Sequence, residues 1–234
     1  MANHLLILAG ELSSDFYASN LVNELKTRHP NLRISAVGGP KLKERSDHFI
    51  ISSIHGSSVG AVEALKVRPH RQRILKLIKD HINTHPIDGA IIIDFPHQHL
   101  DIATLLKRKN IPIITFIMPH FWAWKDRKKT KKVAEYSRAI ISIFETEYEW
   151  VQKFSSKVHY FGHPLGERIN SIQEKRKEVG LEHKNIISIF AGSRQQEVEH
   201  CLPIACEALS QLSNIQNQFK VKVSCGNSDL LPLI

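Results

Sequence analysis

The residues best suited to chemistry stand where short apolar runs end. Glu11 and Asp15 follow the run LLILAG, with Ser13 between them, and Asp94 directly follows AIII and precedes Phe95-Pro96. Gly192, Ser193 and Arg194 follow IISIFA, with Glu197 and Glu199 behind them. A carboxylate at the end of a buried strand is costly unless it is paired or used, because burial disfavours its charged form. Asp94 is therefore a candidate for proton transfer, and Glu11 and Asp15 are its rivals. Ser13 reads as the N-cap of a helix whose free N–H groups favour an anion or a sugar hydroxyl. The bland alternative for LAGELSSD is a capped helix start with surface acids. A Gly-Ser turn opening a helix, with an arginine in the first turn, brings backbone N–H groups and a guanidinium together in a phosphate-accepting corner.

Two tryptophans, Trp122 and Trp124, precede the segment KDRKKTKK from Lys125 to Lys132, which holds six bases and one acid. Lys125, Lys128, Lys129 and Lys132 share one face at helical spacing. Indoles beside such a patch stack on a sugar or base, or anchor in a lipid interface. The competing reading is two core tryptophans followed by a solvated helix face. His97 and His99 have the one-face spacing of a metal-binding strand, but no third ligand lies close by in sequence, so no metal site is expected.

These residues need elements to position them. Apolar runs at His4–Ala9, Arg33–Val37, Gly89–Ile93, Pro112–Met118, Ala139–Phe144 and Val158–Phe161 read as strands. Runs such as AIII and IPIITFIM are continuously apolar, as strands covered on both faces require. Amphipathic segments separate them: one from about Asp15 to Arg28 presents Ala18, Leu21, Val22 and Leu25, and another carries Ile74, Leu75, Ile78 and Ile82. Alternation of this kind predicts an α/β fold, a doubly wound Rossmann-like parallel sheet. A charged stretch after Gly162-His163-Pro164 marks a boundary. Residues 1–163 are expected to form one domain, and residues 164–234 the start of a second, with strands at Asn185–Phe190 and in FKVKVSC.

Composition agrees with a globular chain: 42% hydrophobic and 24% charged residues over 234 positions, with a formal net charge of +9. Three cysteines without C-x-x-C spacing argue against a disulfide framework or a zinc ribbon. No apolar stretch approaches the roughly 20 residues that span a bilayer. The N-terminal apolar run reads as a first strand rather than a leader, so a cytoplasmic location is expected. The basic excess calls for an anionic partner: a phosphorylated substrate, a phospholipid surface or nucleic acid.

Taken in order, these segments resemble the lipid-A-disaccharide synthase family. Its pattern runs roughly A-G-E-x-S-G-D, G-x-x-E-x-L, I-D-x-P, P-x-x-W-A-W, G-H and P-G-S-R-x-x-E. Here it is met by Ala9-Gly10-Glu11 with Ser13 and Asp15; Gly60 with Glu63 and Leu65; Ile93-Asp94 with Pro96; Pro119 with Trp122-Ala123-Trp124; Gly162-His163; and Gly192-Ser193-Arg194 with Glu197. The chain departs from the pattern at Ser14 (usually glycine), at Ala191 (usually proline), and in the segment Phe95-Pro96-His97-Gln98-His99, where the family commonly has another acid or an asparagine.

The resemblance implies two Rossmann-like domains of the GT-B type, with most of the second beyond residue 234. It implies transfer of diacylglucosamine from its UDP derivative to the 6-hydroxyl of diacylglucosamine 1-phosphate, with inversion, release of UDP and no metal or other cofactor. Asp94 would be the base, with Asp15 and Glu11 as rivals. Substrates would meet Ser13, Glu63, Trp122, Trp124, Gly192, Ser193, Arg194 and Glu197. The lysines Lys125, Lys128, Lys129 and Lys132 would face acyl chains or the anionic inner face of the inner membrane. Nucleic acid is not an implied partner, and a separate C-terminal half or a homo-oligomer is. Two other readings stay open at this point: another GT-B enzyme such as a UDP-sugar 2-epimerase, and a basic lipid-binding fragment without activity.

Overall fold

Side chains alternate across a strand, and the first strand divides its residues between two cores. In the computed structural model, Leu6 and Leu8 of β1 (His4–Ala9) pack on one face of the sheet and Ile7 and Ala9 on the other. Ala90 and Ile92 of β4 (Gly89–Ile93) join the first face, and Ile91 and Ile93 the second. An unbroken apolar run is what a strand buried on both sides needs. The structure describes residues 3–54, 68–96, 98–166, 168, 169, 172, 174, 185–192, 195–211, 219–225 and 228–234.

The chain divides into two compact units, Met1–Arg168 and Ile169–Ile234. In the first, seven parallel strands lie in the order β3-β2-β1-β4-β5-β6-β7. Besides β1 and β4 these are β2 (Arg33–Gly38), β3 (His48–Ser52), β5 (Ile113–Phe116), β6 (Ala139–Ser142) and β7 (Val158–Tyr160). Helices α1 (Leu12–Arg28) and α2 (Pro40–Arg45) cover one face through Ala18, Val22 and Leu42. Helices α3 (Arg68–Thr84) and α4 (His99–Arg108) cover the other through Ile74, Ile78, Ile102 and Leu106. Towards β7, α5 (Arg127–Tyr136) and α6 (Glu145–Val151) build a third core with Met118, Phe121, Val133, Ile140 and Val151. This is the doubly wound parallel sheet expected from the alternation. The strand order reverses between β1 and β4, and in such sheets ligands bind outside the carboxyl ends at that reversal.

Three local expectations need correction. The strands at 113–116 and 139–142 are shorter than their apolar runs, because Ile117, Met118 and Ile143 leave the ladder to fill the cores beneath the following loops. The first helix begins at Leu12, well before Asp15. The edge strand β3 and the short helix α2 carry too weak a pattern to be read from sequence; β3 is only half-buried.

The second unit holds a parallel pair, β8 (Ile186–Phe190) and β9 (Lys220–Ser224), with Ile186 opposite Lys220. Helix α7 (Gln195–Ser210) packs through Val198 and Leu202 on Ala191 and Leu230.

Candidate functional site

At the carboxyl ends of β1 and β4 two backbones touch. Gly10 closes β1, and a Cβ built on it would stand 2.5 Å from the Asp94 carbonyl oxygen and 2.6 Å from Phe95 Cα. Any side chain at residue 10 would push the two turns apart. The Gly10 N–H donates to Ile93 O at 3.3 Å. Asp94 is half-buried and takes a left-handed backbone (φ 36), a conformation that β-carbon-bearing residues adopt at a cost. Its N–H donates to Ile117 O at 3.0 Å, across to the segment that follows β5.

Glu11 is the N-cap residue of α1, and Ser14 closes the cap. The Glu11 N–H donates to Ser14 Oγ (2.7 Å), and that hydroxyl donates to Glu11 O (2.8 Å). The serine that departs from the family pattern thus does the capping expected of Ser13. Ser13 is instead an exposed residue of the first helical turn. Asp15, the rival base, is 1% exposed. Its carboxylate accepts from the N–H groups of Gly39 (2.7 Å), Lys41 (3.0 Å) and Leu42 (3.0 Å). It caps α2 from a distance in sequence, with three backbone donors on a buried carboxylate.

An arc of rings runs along this edge. His120 stacks near Trp122 (6.2 Å between centroids), Trp122 near Phe144 (5.9 Å), Phe144 near His163 (5.3 Å) and His163 near Tyr17 (6.3 Å). Phe16 continues it, with the Arg168 guanidinium 4.8 Å above its ring. Burial pushes the Tyr17 phenol up, Arg168 opposes that rise and the charge of Asp94 adds to it, so Tyr17 lies within the electrostatic reach of both. The loops after β1, β5, β6 and β7 therefore converge around Asp94.

The two tryptophans part company. Trp122 is half-buried against the third core, whereas Trp124 is 75% exposed. A cavity of about 330 Å³ opens beside Trp124, walled by Pro96, Leu100, Pro119 and Phe121, with His99, Asp101, His120 and Lys129 also lining it. His99 is 1% exposed; its Nε2 lies 3.3 Å from Thr115 Oγ1, and burial lowers its pKa to about 3, which keeps the ring neutral. Among the described residues no group of three or more His, Cys, Asp or Glu is placed to hold a metal ion.

The four lysines do not share one helix face as expected. Asp126 caps α5, accepting from the Lys129 N–H at 3.0 Å, so Lys125 precedes the helix in a left-handed turn (φ 52). Lys128, Lys129 and Lys132 are exposed on the helix. Lys129 Nζ pairs with Asp126 at 3.2 Å and lies 5.3 Å from the Phe121 centroid, and Lys132 lies 5.6 Å from that of Tyr136. No described helix is long and apolar enough to cross a membrane.

In the second unit Gly192 has φ 122, and the Glu197 side chain occupies the space a Cβ there would need. Gly192 and Glu197 are thus brought together at the start of α7. Glu63, His97, Ser193 and Arg194 lie outside the described residues.

One buried acid escaped the sequence reading. Glu147, in the first turn of α6, is 0% exposed. It accepts from Met118 N–H at 3.0 Å and Ile143 N–H at 3.4 Å. Burial pushes its pKa up to about 7 and the nearby charge of Asp94 adds to the rise, against the lowering by those backbone donors. The only signal in the sequence is the acid-rich turn ETEYE after an apolar run, which does not say which acid turns inward.

The sequence matches the family described as lipid-A-disaccharide synthetase over residues 5–234. It is 29% identical over 235 residues to the lipid-A-disaccharide synthase of Geobacter metallireducens, covering 97% of this chain and 61% of that protein. It is 32% identical over 230 residues to lipid-A-disaccharide synthase 1 of Legionella pneumophila strain Paris, covering 95% of this chain and 60% of the relative. The chain thus spans about three-fifths of the length of these curated relatives. Among solved structures it is similar to the UDP-GlcNAc 2-epimerase of Neisseria meningitidis bound to UDP-GlcNAc, with a TM-score of 0.61 at 12% identity over 97% of this chain and 67% of the other. The Rickettsia bellii UDP-N-acetylglucosamine 2-epimerase gives 0.59 at 11% identity over 97% and 70%. At such identity the likeness is one of fold.

Proposed function

The chain belongs to the lipid-A-disaccharide synthetase family, and from that premise we propose that it carries the acceptor-side half of an inverting glycosyltransferase. In this reading a UDP-activated diacylglucosamine gives its sugar to the 6-hydroxyl of diacylglucosamine 1-phosphate. The new C1–O6 bond forms as the C1–O bond to UDP breaks, the acceptor proton passes to a protein base, and the products are a β-1,6 disaccharide and UDP. An α-linked donor and a β-linked product need one displacement.

Asp94 is the base of this proposal, and its placement carries the reading. It stands at the carboxyl end of a buried strand where the sheet order reverses, on a turn that Gly10 permits to approach β1. A primary hydroxyl is a weak nucleophile, and a positioned base contributes about 10²–10⁴ in rate. Asp15 is a poorer candidate, since three backbone N–H groups already hold its carboxylate. The cavity beside Trp124 and Lys129 supports an acyl-substrate entry there, with an apolar wall for chains and an ammonium at its lining for phosphate. Arg194, with Gly192 and Ser193, is proposed to hold a UDP phosphate. The exposed lysines of α5 are proposed to meet the anionic inner face of the inner membrane.

The test is Asp94→Asn in the chain completed with the remaining two-fifths of the Geobacter metallireducens relative. Disaccharide formation should fall at least about a hundredfold with acceptor binding preserved. Near-normal turnover in that variant, with turnover abolished by Asp15→Asn at unchanged stability, would move the base to the first strand.

A further inference from the structure

The turn that presents Asp94 uses two non-glycine residues in left-handed conformation, Asp94 (φ 36) and Ile117 (φ 61), joined by the Asp94 N–H to Ile117 O hydrogen bond of 3.0 Å. Such conformations persist only where their surroundings over-determine them. On one side Gly10 and β1 supply that constraint. On the other, the residue after Ile117 is Met118, whose N–H donates to Glu147 at 3.0 Å. The second Glu147 oxygen accepts from Ile143 N–H at 3.4 Å, so one buried carboxyl ties the segment after β5 to the segment after β6. Ile117 N–H also donates to Ile141 O at 2.9 Å, which closes the strap.

We propose that Glu147 is the positioning residue for Asp94, its carboxyl holding the Ile117–Met118 turn whose carbonyl receives the Asp94 N–H. The charge of Asp94 acts on Glu147, together with the backbone donors of Met118 and Ile143 and the Ser142 side chain. Beyond Asp94 lie Tyr17 of α1 and, acting on that phenol, Arg168. Two carboxyls that feel each other disfavour each other's ionisation, and the coupling is reciprocal. Loss of the Glu147 proton, centred at about 7, therefore makes Asp94 the stronger base. That consequence for turnover rests on the reading of Asp94 as the base; the positioning itself does not.

The experiment uses residues 1–234 with carboxyl carbons labelled by ¹³C, the Asp94 and Glu147 resonances assigned by their loss in Asp94→Asn and Glu147→Gln. In the wild type the Asp94 carboxyl should titrate with a second inflection at the pH where Glu147 titrates, and Glu147→Gln should remove it. Hydrogen exchange at the Asp94 and Met118 amides should stay protected in Glu147→Gln, which keeps an acceptor, and speed up at least about tenfold in Glu147→Ala. Amide exchange unchanged in Glu147→Ala overturns the positioning role, and an Asp94 titration identical in wild type and Glu147→Gln overturns the coupling. Where Glu147→Ala does not fold, the titration and the exchange in Glu147→Gln decide. In the completed enzyme Glu147→Gln should remove the change in kcat/KM through about pH 7, because the charge that strengthens Asp94 as a base no longer appears there. Normal turnover by Asp94→Asn would refute the base assignment alone, leaving the resonance and exchange results to judge Glu147.

Discussion

The two edges of the seven-stranded sheet both bury ionisable groups, and they treat them in opposite ways. At the amino edge four histidines crowd together: the rings of His81 and His85 stack at 4.2 Å, those of His48 and His81 at 4.7 Å, and His4 meets His81 edge-on at 6.1 Å. Ser35 Oγ lies 2.8 Å from His4 Nε2 and 2.7 Å from His81 Nε2, so the two rings share one buried hydroxyl. Asp88 fixes the approach by accepting from the Asn3 and His4 N–H groups at 2.7 and 3.0 Å. The cluster is turned on itself. At the carboxyl edge Asp94, Glu147, Tyr17 and the ring arc lie where loops converge, and a cavity opens nearby. A displaced pKa therefore does not mark a site. His81 is driven to about 4 by burial and by its histidine neighbours, yet its Nε2 is taken up by the buried Ser35 hydroxyl. What separates the edges is geometry: at the carboxyl edge the chain leaves β1 and β4 for helices on opposite faces of the sheet, and the left-handed turns at Asp94 and Ile117 stand there.

The sharpest way to break this contrast is Asp15→Ala. If Asp15 is structural, two buried backbone donors and a part-buried one lose their acceptor. At about 1–3 kcal/mol for each buried group left unsatisfied, stability should fall by roughly 3 kcal/mol or more, read by denaturant unfolding. A variant as stable as the wild type would return Asp15 to the list of candidate bases.

Acid should strike the amino edge. The His81 pKa is depressed from 6.5 to about 4 in the folded chain, so between those values the unfolded chain binds the proton more readily. Its stabilising contribution is complete above about pH 6.5 and is lost as pH falls towards 4. Glu147 has the reverse sign: its folded value is raised from 4.5 to about 7, so its contribution is complete below about pH 4.5 and is lost as pH rises through 7. Thermal melts should show His81→Leu losing fewer degrees than the wild type between pH 6.5 and 4, and Glu147→Gln losing fewer between pH 4.5 and 7. Parallel pH profiles for all three proteins would erase the contrast between the edges.

The smallest expected effect tests the outer surface near the carboxyl edge. Reversing Lys128, Lys129 and Lys132 to glutamate should weaken binding to anionic liposomes, since each base near such a surface adds up to about 1 kcal/mol, attenuated by salt. Lys129 should contribute least, because Asp126 already pairs it at 3.2 Å. Unchanged liposome binding at low salt leaves α5 as a solvated helix face.

Much of this architecture is legible in the residues alone. The runs LLILA and GAIII, apolar at every position, announce strands covered on both faces, and their alternation with amphipathic helices announces the doubly wound sheet. Asp94 at the end of such a run is visible too, because a charge interrupting an apolar strand marks the strand's end. The family's order of motifs is likewise a property of the chain read linearly. Other features depend on contacts between segments far apart in sequence. That Asp15 caps α2, about 25 residues away, follows only once β2 delivers Gly39 beside α1. That Ser14 rather than Ser13 closes the first cap depends on where the helix actually begins, at Leu12. Glu147 is one acid of ETEYE until the packing of α6 beside β5 and β6 turns it onto the Met118 and Ile143 N–H groups. Periodicity reports which side of an element is buried; it carries no information on which distant backbone donor waits there, and hydrogen-bond partners and capping are settled by that encounter.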